Sequence, residues 1–246
     1  SRESLPLYSD IGLTTVAIGQ EARVELEHFA LKGRENHDLR NAVNRMTREG
    51  WECVVLQGES LRAPEQLEQL REISDEWLSS KRTRERGFAL GWFDPEYLLR
   101  FPLAVVRREE RILAFANLWE TSDRSESSVD LMRHRSEAPS QTMDFLFVTL
   151  LQRARYQGFQ WFNLGLAPLS GMEEEELGPF WHRLAGLLYR HGDHFYSFQG
   201  LRSYKEKFAP RWETKYIAAP PGIALPAALL NLLRLSSRRR RPEAAP

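Results

Sequence analysis

Cysteine is almost missing from the 246 residues. The single Cys53, between Glu52 and Val54 in an apolar run, excludes an intrachain disulfide and points to a reducing compartment. With no His or second Cys beside it in sequence, it reads as a buried thiol and not a reactive one. An excess of either charge is missing too: Lys and Arg total 34, Asp and Glu 34, so attraction to a polyanion falls to local patches. No apolar run reaches the ~18 to 20 residues needed to cross a bilayer, and no signal peptide is visible. The expectation is a soluble or membrane-associated piece. The opening SRESLPLYSD has no initiator Met and reads as the continuation of a longer chain, and no internal repeat is evident.

What is there suffices for a core. Hydrophobic residues make up 42% of the chain, enough for one large or two small domains. GLTTVAIGQEARVEL reads as an opening strand, a turn at Gly19 and an alternating stretch. NHDLRNAVNRMTR puts Leu39, Val43 and Met46 at helical spacing, with Arg40, Arg45 and Arg48 off that face and Gly50 as the stop. Those arginines have two readings, a solvated surface or a phosphate-contacting face. WECVVL reads as a strand. Pro64 opens a helix over 64–78 with Leu67, Leu70, Trp77 and Leu78 on one side. SSKRTRERG reads as an exposed loop, and Pro95 opens a short helical turn. FPLAVVRREERILAFANLWE is a β-hairpin, Leu103 to Val106 and Ile112 to Trp119 flanking Arg107 to Arg111.

A strand ending SSVDLMRH, a helix with Met143, Leu146, Phe147, Leu150, Leu151 and Ala154 on one face, and a strand over 159–166 then follow with little linker. Further on, Leu177, Trp181, Leu184 and Leu188 give another helix. Glu173 to Glu176 suit its N-terminus through the macrodipole, with substrate binding as the alternative. HFYSFQGLRSYKEKFAPRWETKYIAA reads as a strand, a basic-aromatic segment and a final strand. The tail, with Leu229, Leu230, Leu232, Leu233 and Leu235 before Arg238 to Arg241, reads as a basic amphipathic helix for an anionic bilayer surface. Its alternative is a core-packing helix with a loose basic end.

This order predicts an α/β (α+β) fold, a mixed central sheet with helices on both faces. It is similar to the N-acetyltransferase-like (GNAT) architecture, in which the acyl donor lies where two central strands splay. Coenzyme A enzymes of that fold carry a Gly-rich loop before the helix that follows the central strand. Here the matching stretch RHRSEAPSQTMD holds no glycine and offers Arg133, His134 and Arg135 instead, which implies another donor. Asp130, Arg133, His134, Arg135 and Asp144 gather at the strand end, the loop and the first helical turn.

Five strings resemble one family: SDIGLTTVAIGQEARVEL, LRNAVNRMTREGW, VDLMRH, TMDFLFVTLLQRARYQGFQWFNLGLAPLSG and FQGLRSYKEKFAPRWETKYIA. They look like the catalytic domain of the bacterial phosphatidylglycerol aminoacyltransferases, the lysyl- and alanyl-phosphatidylglycerol synthases or multiple peptide resistance factors. The resemblance runs from about residue 7 to about 222. It implies a join from a missing upstream GNAT-like fold over 1–20, a GNAT-like catalytic domain over 21–222 and a basic tail over 223–246. It implies transfer of an aminoacyl group, lysyl or alanyl, from charged tRNA to a head-group hydroxyl of phosphatidylglycerol. The product lowers membrane negative charge and confers resistance to cationic antimicrobial peptides. The partners implied are aminoacyl-tRNA, phosphatidylglycerol, the anionic membrane surface, the upstream fold and a transmembrane flippase region, at the cytoplasmic face of the bacterial inner membrane. Exchange of one ester for another demands positioning, proton removal and oxyanion help, and no cofactor.

The resemblance places the family's functional Asp and Arg on Asp130 and Arg133, and its Lys on Lys205. Asp130 would hold the α-ammonium of the aminoacyl group. Arg133 would contact a phosphate or ribose of the tRNA end, or the lipid phosphate. Lys205 would stabilise the oxyanion or bind the lipid phosphate. His134, Arg135, Asp144, Arg202, Tyr204 and Lys207 are further substrate-binding candidates. Against these stand plain readings: a structural Asp130–Arg133 ion pair, a structural His134, a surface Lys205. Trp161, Phe162 and Trp181 read as core, and Asn163 to Gly165 as a cleft floor. Two other functions stay open, a tRNA- or lipid-binding module inactive without the upstream fold, and a tRNA-dependent peptidoglycan-bridge aminoacyltransferase.

Overall fold

The predicted hairpin forms as β3 (Leu103–Arg108) and β4 (Arg111–Glu120), each strand running further into the charged turn than the apolar pattern shows. The pairing closes at Arg108 opposite Arg111, and Glu109 takes the left-handed φ of 54° that so tight a loop requires. The structure is a computed structural model that describes residues 2–80, 93–168, 170–171, 195–221 and 231. The expected loop over SSKRTRERG, all but its first two residues, lies outside that range. So do the helix around Trp181 with its glutamates, and the basic tail apart from residue 231.

The described helices are α1 (Leu5–Asp10), α2 (His37–Arg48), α3 (Pro64–Ser80), α4 (Pro95–Leu98), α5 (Thr142–Tyr156) and α6 (Phe195–Glu206). The remaining strands are β1 (Thr14–Glu25), β2 (Glu52–Leu56), β5 (Glu126–His134), β6 (Trp161–Pro168) and β7 (Arg211–Ala219). Strand order in the seven-stranded sheet is β2-β3-β4-β5-β6-β1-β7. The α/β expectation holds, with the hairpin, strand, helix, strand order of the GNAT-like reading. Contacts divide the chain into two compact units, one spanning Leu26–Phe162, the other holding Ser1–Glu25 with the stretch that begins at Asn163.

In the first unit β2, β3, β4 and β5 pair antiparallel in sequence order. Strand alternation puts Leu103 and Val105 on one face, where they join Leu70 and Ile73 of α3, Leu98 of α4, and Phe115 and Leu131 in one apolar cluster. Ala104, Val106, Ala114 and Ala116 are also fully buried, and α5 packs against β2, β3 and β4 with α2 beside it. Helices thus cover both faces of this part of the sheet. Of the predicted α5 face Leu146, Phe147, Leu150, Leu151 and Ala154 are buried and Met143 is half-buried, while Phe145 and Val148 are buried as well. The α2 arginines are engaged within the chain: Arg40 donates to the carbonyls of Leu31 (2.8 Å) and Gly33 (2.5 Å), and Arg45 pairs with Glu49 (2.8 Å). Arg48 donates to the Asn44 carbonyl (3.3 Å). This geometry favours the surface reading of that face over phosphate contact.

The second unit corrects two expectations. Gly19 is not a turn: β1 runs unbroken and pairs antiparallel with β7, and the register slips between Ala17 and Gly19. With φ at 144°, Gly19 forms a bulge in a continuous strand. The expected strand at FYSF is not one either, because residues from Phe195 onward are helical. Aromatic β-propensity hid a helical period: Leu201, Tyr204, Lys205 and Phe208 recur at i, i+3, i+4 and i+7, all at least half-buried.

Phe115, fully buried in the α3-side cluster, gives a direct stability test. Phe115→Ala should cost about 3–5 kcal/mol in urea unfolding, while Tyr156→Ala, at a residue 93% exposed, should stay within about 0.5 kcal/mol.

Candidate functional site

Asp130 sits where β4 and β5 fall out of register. Ala116 pairs with Met132 and Leu118 with Val129, so two residues of β5, Asp130 and Leu131, face the single Asn117. That is a β-bulge. Leu131 packs into the α3-side cluster, and the Asp130 carboxylate meets the Tyr97 hydroxyl of α4, which donates to its Oδ2 at 2.6 Å. Neighbours on a regular strand would point to opposite faces; the extra residue turns both to one side.

Tyr97 is set by its own segment. Asp94 Oδ1 accepts from the amides of Glu96 (3.0 Å) and Tyr97 (3.4 Å), and Pro95 supplies the first-turn φ. The Tyr97 oxygen accepts from Trp119 Nε1 at 3.2 Å. Burial, and then the Asp130 carboxylate, push the phenol above its ordinary pKa. It therefore stays a donor. Trp119, 48% exposed, continues into an open cleft of about 620 Å³ with Arg100, Phe101 and Ser128 along its wall.

The other residues of this stretch are anchored. Arg133 is 3% exposed; it donates to the Ser74 carbonyl (3.4 Å) and hydroxyl, and its guanidinium lies 5.2 Å over the Trp77 ring. Direct contact with a phosphate would require α3 to give way, so the geometry suits a residue that holds β5 to α3. Arg135 is tied to the same helix through Glu72 (2.8 Å) and Glu76 (3.8 Å), and to the Ile112 carbonyl (3.0 Å). His134 Nδ1 lies 2.9 Å from the Arg135 carbonyl, which can only accept, so this nitrogen carries a proton. Asp144, 8% exposed, occupies the first turn of α5.

In the second unit Lys205 is 5% exposed on α6, and its Nζ donates to the carbonyls of Gly165 (2.8 Å) and Leu166 (2.9 Å) on β6. Gly165 holds φ at 84°, and its amide donates to Asn163 Oδ1 (2.7 Å), so the kink presenting those carbonyls is built into β6. Burial pulls the Lys205 ammonium down to about 8, against a smaller opposing effect of Glu21. Arg202 donates to Gln20 Oε1 (2.7 Å) and Glu206 (3.0 Å) and stacks 4.3 Å from the Trp212 ring centre. Lys207 lies 5.0 Å from the centre of the Tyr204 ring, whose edge meets Phe208. The structure thus gathers Asp130, Arg133, His134, Arg135 and Asp144 in one unit and Arg202, Tyr204, Lys205 and Lys207 in the other.

Cys53 is inert. Burial pushes its thiol up to about 12. Among the described residues no group of three or more His, Cys, Asp or Glu is placed to hold a metal. Phe162 is fully buried, whereas Trp161 is half-buried. Sequence reasoning missed Tyr97, Asn117, Trp119 and Ser74. One signal was legible, the lone amide within the apolar run ILAFANLW.

The model of the family described as phosphatidylglycerol lysyltransferase, C-terminal, matches residues 1–219. The chain is 40% identical over 236 residues to a phosphatidylglycerol lysyltransferase of Bacillus subtilis, covering 95% of this chain and 27% of that protein. It spans about a quarter of the length of the curated relatives it matches. Two solved structures are similar. One is the C-terminal domain of a putative lysylphosphatidylglycerol synthetase from Agrobacterium fabrum, with TM-score 0.82, 39% identity, and coverage of 96% of this chain and 71% of that one. The other is L-PGS from Bacillus licheniformis, with TM-score 0.80, 38% identity, and coverage of 97% and 71%.

The lowered Lys205 pKa makes stability depend on pH. Below about 8 the amine is charged in both folded and unfolded chains and its burial penalty is fully present; above 10.5, its ordinary value, it is neutral in both and the penalty is gone. The unfolding free energy of the unaltered chain, minus that of Lys205→Met, should rise across that window in urea titrations. A flat difference would mean an ordinary Lys205 pKa.

Proposed function

The chain belongs to the family of phosphatidylglycerol lysyltransferase C-terminal domains, and we propose on that premise that it transfers a lysyl group from charged tRNA to a head-group hydroxyl of phosphatidylglycerol. The lysyl donor is preferred to alanyl because the relatives at 31–40% identity are named lysyltransferases. The acceptor is a membrane lipid and the donor a charged tRNA, so the reaction belongs at the cytoplasmic face of the membrane. No helix among the described residues is long and apolar enough to cross it. The rest of the relatives' length leaves room for an upstream fold and a transmembrane region in a longer protein. Each lysyl group added would offset anionic surface charge and weaken the attraction of cationic antimicrobial peptides.

The observation that carries the reading is Lys205, an amine buried against the Gly165 and Leu166 carbonyls, where burial pulls its pKa down to about 8. A lipid hydroxyl attacking an aminoacyl ester must lose its proton, and the base that takes it works best when its pKa is close to ambient pH. Neutral Lys205 keeps two N–H groups on the Gly165 and Leu166 carbonyls and has its lone pair free for that proton. The hydroxyl oxygen bonds to the ester carbon as Lys205 takes the proton. Collapse of the tetrahedral intermediate expels the ribose hydroxyl of the tRNA end, which recovers a proton from the Lys205 ammonium. No co-reactant is consumed. In the other unit Asp130, held by Tyr97, is the carboxylate assigned to the α-ammonium of the aminoacyl group. Arg133 contributes by fixing β5 on α3.

The test is transfer of radiolabelled lysine, with alanine in parallel, from charged tRNA to phosphatidylglycerol in micelles, by the chain alone and within a full-length protein. Lys205→Met and Lys205→Arg should both lose about 10²–10⁴-fold in rate, because arginine keeps the charge but cannot give up its proton. Activity retained in Lys205→Arg would make Lys205 an oxyanion or phosphate cation instead. The rate should rise with pH through about 8. Asp130→Ala should raise the KM for charged tRNA and lower kcat. Absence of labelled lipid from both forms, when folded, would refute transfer to the lipid.

A further inference from the structure

We propose that Asn117 is the positioning residue of the Asp130 carboxylate, acting through the backbone of the β5 bulge. Asn117 is fully buried in a strand otherwise composed of apolar side chains at its centre. A buried amide in such a place carries a desolvation cost and needs a compensating role. The compensation is one bond: Oδ1 accepts from the Leu131 amide at 2.7 Å. That amide belongs to one of the two β5 residues facing Asn117, where the regular ladder is interrupted. Without the Asn117 oxygen it would be a buried donor with no strand partner, and β5 could regain its pairing only by slipping one residue. Such a slip reverses the face of every side chain beyond it. Asp130 would then turn away from Tyr97, and its carboxylate would lose the 2.6 Å bond that holds it.

The amide end of the same side chain supports this assignment. Asn117 Nδ2 is buried with no close acceptor among the described residues, yet it acts at longer range on the Tyr97 phenol, opposing the upward pull of burial. Asn117 therefore faces both components of the carboxylate's support, the bulge and the tyrosine. An apolar residue of similar volume would give neither. The inference rests on the reading of Asp130 as the carboxylate that holds the donor's ammonium; Asn117 itself touches no substrate.

The experiment compares Asn117→Ala with Leu70→Ala, a cavity variant in α3 of the same apolar cluster, as a control for lost stability. Transfer is measured well below both thermal midpoints, in whichever form of the protein is active, and amide exchange at Leu131 is followed in parallel. Asn117→Ala should lower kcat by about tenfold to a hundredfold, leave the KM for phosphatidylglycerol unchanged, and speed Leu131 exchange. Leu70→Ala should keep kcat within about twofold. Should Asn117→Ala fail to fold, Asn117→Ser serves with the same expectations, its hydroxyl being one bond too short for the Leu131 amide. Unchanged kcat in a folded Asn117 variant while Asp130→Ala is inactive overturns this inference alone. Equal losses in the Asn117 and Leu70 variants overturn it too, as a stability effect. Full activity in Asp130→Ala overturns the reading of Asp130, and transfer by neither form removes both.

Discussion

Strict alternation of side chains would put Asp130 and Leu131 on opposite faces of β5, one toward α5 and one toward α3. One extra residue between the Ala116–Met132 and Leu118–Val129 pairs removes that restriction, and much of the first unit follows from it. Leu131 can close the apolar cluster while its neighbour keeps a carboxylate on the same side, against Tyr97. Beyond the bulge the alternation resumes with Arg133 again toward α3, where Ser74 and Trp77 receive it. One local register error lets the same stretch of sheet close the core and hold a carboxylate beside it.

Two buried cations show how differently such groups can be accommodated. Arginine cannot discard its proton, so Arg133 needs acceptors and an aromatic face, and α3 provides them. Lysine has a second option. Lys205 is held by two carbonyls of β6, with Glu21 as a weaker aid, and burial brings its proton within reach of neutral pH. The difference is one of chemistry: the guanidinium keeps its proton and suits permanent anchoring, whereas burial makes the amine's proton easier to release.

Several other arginines of the first unit tie its elements together. Arg40 ties the loop before α2, Arg135 joins the end of β5 to α3, and Arg153 of α5 meets Glu120 at the end of β4. Partly shielded pairs of this kind add little stability apiece but fix how elements meet.

Sequence by itself determined the elements whose pattern is local. The 3.6-residue period of α5, the hairpin flanking Arg107 to Arg111 and the Pro95 turn all form where the chain's own periodicity and turn residues put them, because each signal lies within one element. It also marked Asp130 and Lys205 as candidates, through resemblance. It could not supply their surroundings. The helix at Phe195 was masked by aromatic residues that favour strands in isolation, and the Gly19 bulge by a glycine that reads equally as a turn. Tyr97 and Asp130 are 33 residues apart, Arg133 and Ser74 59, and Lys205 and Gly165 40. Pairings over such separations depend on which strands align and in what register. Only the tertiary structure decided them, because a hydrogen bond and a desolvated amine are properties of neighbours that the order of residues does not name.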